Sequence, residues 1–71
     1  MATYQMIELV GASKTSFFEA VKAAVAEASK TVRGMEWFEV VEQRGRIADG
    51  RVAEFQVKVK VGCRIDGKGP K

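Results

Sequence analysis

Histidine is absent, and cysteine, tryptophan, tyrosine and proline each occur once in the 71 residues. Without histidine the usual general base near neutral pH is missing. One cysteine cannot close an internal disulfide, and with no histidine beside it the Cys/His zinc sites are excluded. No apolar run approaches the ~20 residues of a membrane-spanning helix, so no membrane anchor is expected. The first residues lack a basic region followed by a long apolar stretch, so no secretory leader is expected either. A free cysteine without an export signal points to the cytoplasm. Gly11 is a single glycine where phosphate-binding loops need several, and the carboxylates do not fall at metal-ligand spacing, so no metal site is expected. Catalysis is therefore poorly supported, and a binding or structural role is expected instead.

A chain of this length holds one domain, and such small domains bury only about 60% of their unfolded surface. Stability at this size usually needs disulfides, a metal or assembly, and assembly is the staple left open. The net charge is +3, and Lys68 and Lys71 near the C-terminus supply much of that excess. No dense Lys/Arg cluster appears, so nucleic acid is not an expected partner.

What is present is a long hairpin. Glu36–Ile47 and Arg51–Ile65 read as strands joined by Asp49-Gly50, the residue pair that a type I′ turn favours. With Ala48 facing Arg51, the two-residue loop sets Val41 opposite Lys58, Phe38 opposite Val61 and Trp37 opposite Gly62; Gly45 is a candidate bulge. One face then carries Phe38, Val40, Phe55, Val57, Val59, Val61 and Cys63, and calls for a covering helix. The other carries Trp37, Glu39, Val41, Gln43, Gln56, Lys58, Lys60 and Arg64. Cys63 alternates onto the apolar face and reads as core. A lone Trp opposite a glycine, on a face of amides and charges, is the feature to explain.

Upstream, Thr3–Val10 reads as a strand bounded by Gly11, with Ile7 and Leu9 on one side and Tyr4, Met6, Glu8 and Val10 on the other. After a short loop, Ser16 with Glu19 has capping-box spacing, Ser13 being the alternative cap. A helix is expected from about Phe17 to Val32, its apolar stripe running through Phe17, Val21, Ala24, Val25, Ala28 and Val32. Arg33 falls in its last turn and Gly34 supplies the residue that ends it. The fold class is α+β, in the order β-α-β-β, with a three-stranded antiparallel sheet wrapped on one helix. Residues 1–65 form the single domain, and the apolar-free residues 66–71 are expected to be a disordered tail. One sheet face has nothing in the chain to cover it.

On that bare face Trp37 offers a flat ring for stacking. Gln43 and Gln56 can donate and accept together, which suits an imide-like ring edge, unless they pair with each other across the strands. Arg44, Arg46 and Arg64 can hold a phosphate bidentately, or pair with Glu36, Glu42 or Glu54 on the surface. Glu39 opposite Lys60 reads as a cross-strand charge pair. A planar, phosphate-bearing aromatic ligand fits the first set of options.

At these residues the chain resembles the dodecins. The matching pieces are Ile7-Glu8-Leu9-Val10-Gly11, Ser13, Trp37-Phe38-Glu39-Val40, Arg44-Gly45, Gly50, Phe55-Gln56-Val57, Val61-Gly62 and Arg64-Ile65, in order, across nearly the whole chain. The resemblance implies a homododecameric hollow shell that binds flavin (riboflavin, FMN or FAD) without catalysis. It implies flavins stacked between the Trp37 side chains of neighbouring subunits, with Gln56 hydrogen-bonding the ring's polar edge. It further implies flavin storage, and photoprotection through quenching of excited flavin by the tryptophan. Some bacterial members also hold coenzyme A with arginines implicated, and Arg44 and Arg64 match positions to test for that; Arg46 falls at a variable position. One departure is Cys63, where the family commonly has Phe. A structural shell without flavin, and a module stacking single-stranded nucleic acid on Trp37, are the competing expectations.

Overall fold

The computed structural model describes residues 1–66. The chain runs β1 (Tyr4–Ser13), α1 (Phe17–Ala28), β2 (Met35–Ala48) and β3 (Arg51–Arg64). The three strands form one antiparallel sheet in the order β1-β3-β2, so β3 is central and pairs on both sides. This is the expected β-α-β-β arrangement.

The connections follow local chemistry. Asp49 and Gly50 both take positive φ, at 54° and 73°, which is the geometry of the two-residue turn expected between β2 and β3. Ser16 is the N-cap: its backbone is extended and its Oγ accepts from the Glu19 N–H at 3.0 Å. Ser13 Oγ instead accepts from the N–H groups of Thr15 and Ser16, tightening the turn into the helix.

Two boundaries differ from the sequence expectation. β1 continues through Gly11 to Ser13, pairing with Val57, Gln56 and Phe55, and the glycine leaves room for α1, which crosses directly above it. A Cβ there would lie 2.9 Å from both the Ala20 carbonyl carbon and the Ala24 methyl. The helix stops at Ala28 rather than Val32. Ser29 donates its hydroxyl to the Ala26 carbonyl at 2.7 Å, and the β-branched Thr31 and Val32 follow. Tighter backbone turns carry residues 29–32, which still lets Val32 rest on the core. Arg33 thus lies beyond the last helical turn. Gly34, with φ of 78°, serves the entry to β2, and its carbonyl accepts from the Arg64 N–H.

The core is one layer of helix on sheet. Ala20 and Val21 of α1 pack on Val57, Val59, Val61 and Cys63 of β3, with Ile7, Leu9, Phe17, Val25, Val32 and Met35 around them. Cys63 is buried in this core as expected. Lengths limit the cover. Twelve helical residues span about 18 Å, whereas the 14-residue strands reach about 46 Å. Phe38, Val40, Ile47 and Val52 therefore lie on the helix side of the sheet yet remain exposed, because α1 does not reach over β2 or the hairpin tip.

The hairpin register holds at its ends and slips in its middle. Ala48 faces Arg51, Phe38 faces Val61 and Trp37 faces Gly62, as the turn predicts. Between them, Arg46 faces Glu54, Arg44 faces Gln56 and Glu42 faces Lys58, leaving Ala53 on β3 and Val41 on β2 as unmatched bulge residues. Val41 is therefore not opposite Lys58. Gly45 lies inside the slipped segment facing Phe55, and the bulges fall on either side of it. Gln43 moves with the slip onto the helix side opposite Val57. A third irregularity leaves Glu36 unmatched between Met35 and Trp37.

Candidate functional site

The face of the sheet away from α1 holds the candidate residues. Along β1 it carries Tyr4, Met6, Glu8, Val10 and Ala12; along β3, Arg64, Gly62, Lys60, Lys58, Gln56 and Glu54. Along β2 it carries Trp37, Glu39, Glu42, Arg44 and Arg46. The slip replaces Gln43 by Arg44 on this face, so the two glutamines do not pair.

At one end, Trp37 lies across Gly62. A Cβ at Gly62 would fall 2.5 Å from both Cε2 and Cη2 of the indole, so the ring occupies the space of the missing side chain. The glycine opposite the tryptophan is thereby explained. One side of the indole rests on the β3 backbone, and the residue keeps 42% of its surface exposed. The Tyr4 ring meets the indole edge-to-face, with centroids 4.8 Å apart and planes at 66°. Tyr4 also donates its hydroxyl to Glu36 Oε1 at 3.3 Å.

Arg64 stands at the same end. Its Nε donates to Asp66 Oδ1 at 3.0 Å, and Asp66 Oδ2 accepts from the Thr3 N–H. Asp66, the first residue of the expected tail, is thus tied to the sheet; residues 67–71 lie outside the described residues. The Asp66 hydrogen bond raises the Arg64 pKa, desolvation opposes it, and the charge of Asp66 and the proximity of Tyr4 and Glu36 raise it further. Arg64 is a permanent cation at the Trp37 end of this face.

The other candidates cluster toward the turn. Arg44 Nε donates to Gln56 Oε1 at 2.8 Å, Gln56 Nε2 donates to Glu54 Oε1 at 2.9 Å, and Arg44 Nη1 meets Glu42 at 3.3 Å. Arg46 Nε lies 3.7 Å from Glu54, and Lys58 Nζ lies 3.9 Å from Glu42. Arg44 and Arg46 are therefore engaged in the glutamate pairs that composition offered as their alternative role. Glu39 sits opposite Lys60 as expected. Among the described residues, no group of three or more His, Cys, Asp or Glu side chains is placed to hold a metal ion.

Gly62 and Gln56 are six positions apart on β3, a separation of about 20 Å along the strand. The candidate residues thus fall into two candidate half-sites on one face: Trp37 with Arg64, and Gln56 with Arg44 and Arg46. Sequence reasoning did not find Tyr4 and Glu36 as neighbours of Trp37. The signal for Tyr4 was its alternation onto the bare face; for Glu36 there was none, since a bulge brings it to that side.

The dodecin family profile matches residues 3–66. The chain belongs to the dodecin family. A curated dodecin from Thermus thermophilus is 46% identical over 63 residues, covering 89% of this chain and 91% of that protein. Among solved structures, dodecin from Streptomyces coelicolor superposes with a TM-score of 0.88 at 46% identity, covering 92% of this chain and 93% of its own. Dodecin from Streptomyces davaonensis gives 0.87 at 42% identity, over 92% and 96% of the two chains. The dodecin fold and the β-α-β-β topology described above are the same. Among the described residues, no helix is long and apolar enough to cross a membrane.

Proposed function

We propose that this dodecin binds flavins without catalysing their conversion, holding them in a homododecameric shell for storage and photoprotection. The observation that carries this reading is the indole of Trp37, laid on Gly62 with an open face outward. A planar heteroaromatic ring stacks on such a face. Riboflavin, FMN and FAD share that ring.

The separation of the half-sites supports a site shared between subunits. A flavin stacked on Trp37 of one subunit takes its polar-edge hydrogen bonds from Gln56 of another, with Arg44, Arg46 or Arg64 available to a phosphate. Gln56 has an acceptor and a donor to offer, both now used within its own sheet. The apolar groove between α1 and β2, lined by Phe18, Val21, Val25 and Phe38, supports assembly, because a second copy would take this surface out of water. The free Cys63 fits a cytoplasmic setting.

The test is a fluorescence titration of riboflavin and FMN with the purified protein and with Trp37→Ala, each checked for particle size. Flavin emission is expected to be quenched to saturation by the parent protein and left unchanged by Trp37→Ala, with both proteins the size of a dodecamer. Unchanged emission at micromolar parent protein would leave a shell without flavin.

A further inference from the structure

Trp37 stands on an edge strand and its bed is a glycine, which offers a floor but no walls. Something else must fix the angle of the ring. Three strands contribute to doing so. Gly62 of β3 lies beneath the indole, the Tyr4 ring of β1 meets it edge-to-face with centroids 4.8 Å apart, and Glu36 of β2 accepts the Tyr4 hydroxyl at 3.3 Å. Glu36 and Trp37 are consecutive, so regular alternation would send them to opposite faces. The irregularity that leaves Glu36 unmatched between Met35 and Trp37 brings both to Tyr4. The bulge therefore has a use: it lets one tyrosine hold the tryptophan with its ring and the neighbouring carboxylate with its hydroxyl.

We infer that Tyr4 is a positioning residue for Trp37, clamping the indole flat on Gly62 so that its outer face is set for stacking before a ligand arrives. The ligand arm of this inference rests on the flavin reading above; the clamp itself does not. A stacking side chain that is free to rotate loses that freedom when the ligand binds. Ordering it beforehand is expected to be worth roughly two- to tenfold in affinity. The hydroxyl–carboxylate bond is exposed and long, so the ring edge carries most of the effect.

Trp37 is the sole tryptophan, so its emission reports this site alone. The experiment is time-resolved fluorescence anisotropy of Trp37 in the ligand-free protein, together with riboflavin titration, for the parent, Tyr4→Phe and Tyr4→Leu. Riboflavin carries no phosphate, which leaves the arginines out of the comparison. Tyr4→Leu is expected to add a fast depolarising component to Trp37 and to weaken riboflavin binding roughly two- to tenfold. Tyr4→Phe, which keeps the ring edge, is expected to restore the slow decay and to bind within about twofold of the parent. Parent-like anisotropy and affinity in Tyr4→Leu would overturn the inference. If Tyr4→Leu does not assemble, Tyr4→Met takes its place with the same two readouts. If the parent itself binds no riboflavin, the flavin reading fails, and the anisotropy arm still decides whether Tyr4 holds Trp37.

Discussion

Trp37 and Gly62 face each other across β2 and β3, and the indole fills the place where a side chain at position 62 would stand. Gly62→Ala therefore forces the ring off its bed. The added methyl collides with an aromatic ring, and crowding of this kind costs about 1–3 kcal/mol. Riboflavin affinity is expected to fall by at least about tenfold, the 1.4 kcal/mol equivalent. Fluorescence titration checks this, with far-UV circular dichroism to show that the sheet persists.

Gly11 answers to a different neighbour. Its missing side chain leaves room for the Ala20 backbone, which cannot step aside as a side-chain tip does. Gly11→Ala is expected to lift α1 from β1 and destabilise the fold by about 3 kcal/mol, at the upper end for core crowding. Urea unfolding of the variant and the parent at equal protein concentration measures the difference.

The Arg44–Gln56 bond predicts a separation of stability from binding. Both side chains are at least partly exposed, and such a contact contributes about 0–1 kcal/mol. Arg44→Met is expected to leave the urea midpoint nearly unchanged. It releases the Gln56 carbonyl and removes a cation, so FMN affinity should fall more than riboflavin affinity. Parallel titrations with the two flavins read the difference directly.

Arg64 sets a pH expectation. Its folded-state pKa lies above the ordinary arginine value, chiefly through the Asp66 hydrogen bond. For a cation raised in this way, the contribution is complete below the unfolded pKa and is lost only as pH rises through the folded one. That window lies above the range of ordinary experiments. Any preference for FMN over riboflavin should therefore follow the second ionisation of the phosphate, near about pH 6, and stay level above it. Titrations from pH 5 to 9, a range chosen about that ionisation, test this.

Cys63 is 3% exposed at the heart of the β3 core. Its thiol should react with a disulfide reagent at least about tenfold more slowly in the native protein than in urea, since the reactive thiolate needs access. Absorbance at the released chromophore gives both rates.

Much of this fold is legible in the sequence, and the failures have local causes. The Asp49-Gly50 turn carries its own conformational demand, so the hairpin follows from two residues, and the register at Trp37 agrees with it because the bulges at Val41 and Ala53 lie on opposite strands and cancel. Alternation in β1 holds throughout, because β1 pairs with β3 without a bulge. The helix end was misread because Val32 keeps the apolar spacing while Ser29 captures the Ala26 carbonyl. In the middle of the hairpin, alternation pointed Gln43 outward and left Arg44 aside. The Val41 and Ala53 bulges reverse that choice, and neither residue type announces a bulge. Trp37 and Gly62 were readable as partners from the turn because the two bulges between them and it cancel, whereas the contact with Tyr4 required the third strand.

The extra residue at Val41 acts as a change of parity. Before it, odd-numbered side chains of β2 look away from the helix; after it, even-numbered ones do. Trp37 and Arg44 share a face only because one residue between them goes uncounted by β3. Were Val41 instead paired with β3, the composition and hydrophobicity of the chain would be the same, yet the reading frame of the strand would be set back by one. Glu42, Arg44 and Arg46 would then turn toward the apolar layer while Gln43 took the outer place. The spacing between those two stretches of β2 is thus itself part of the information that specifies the site.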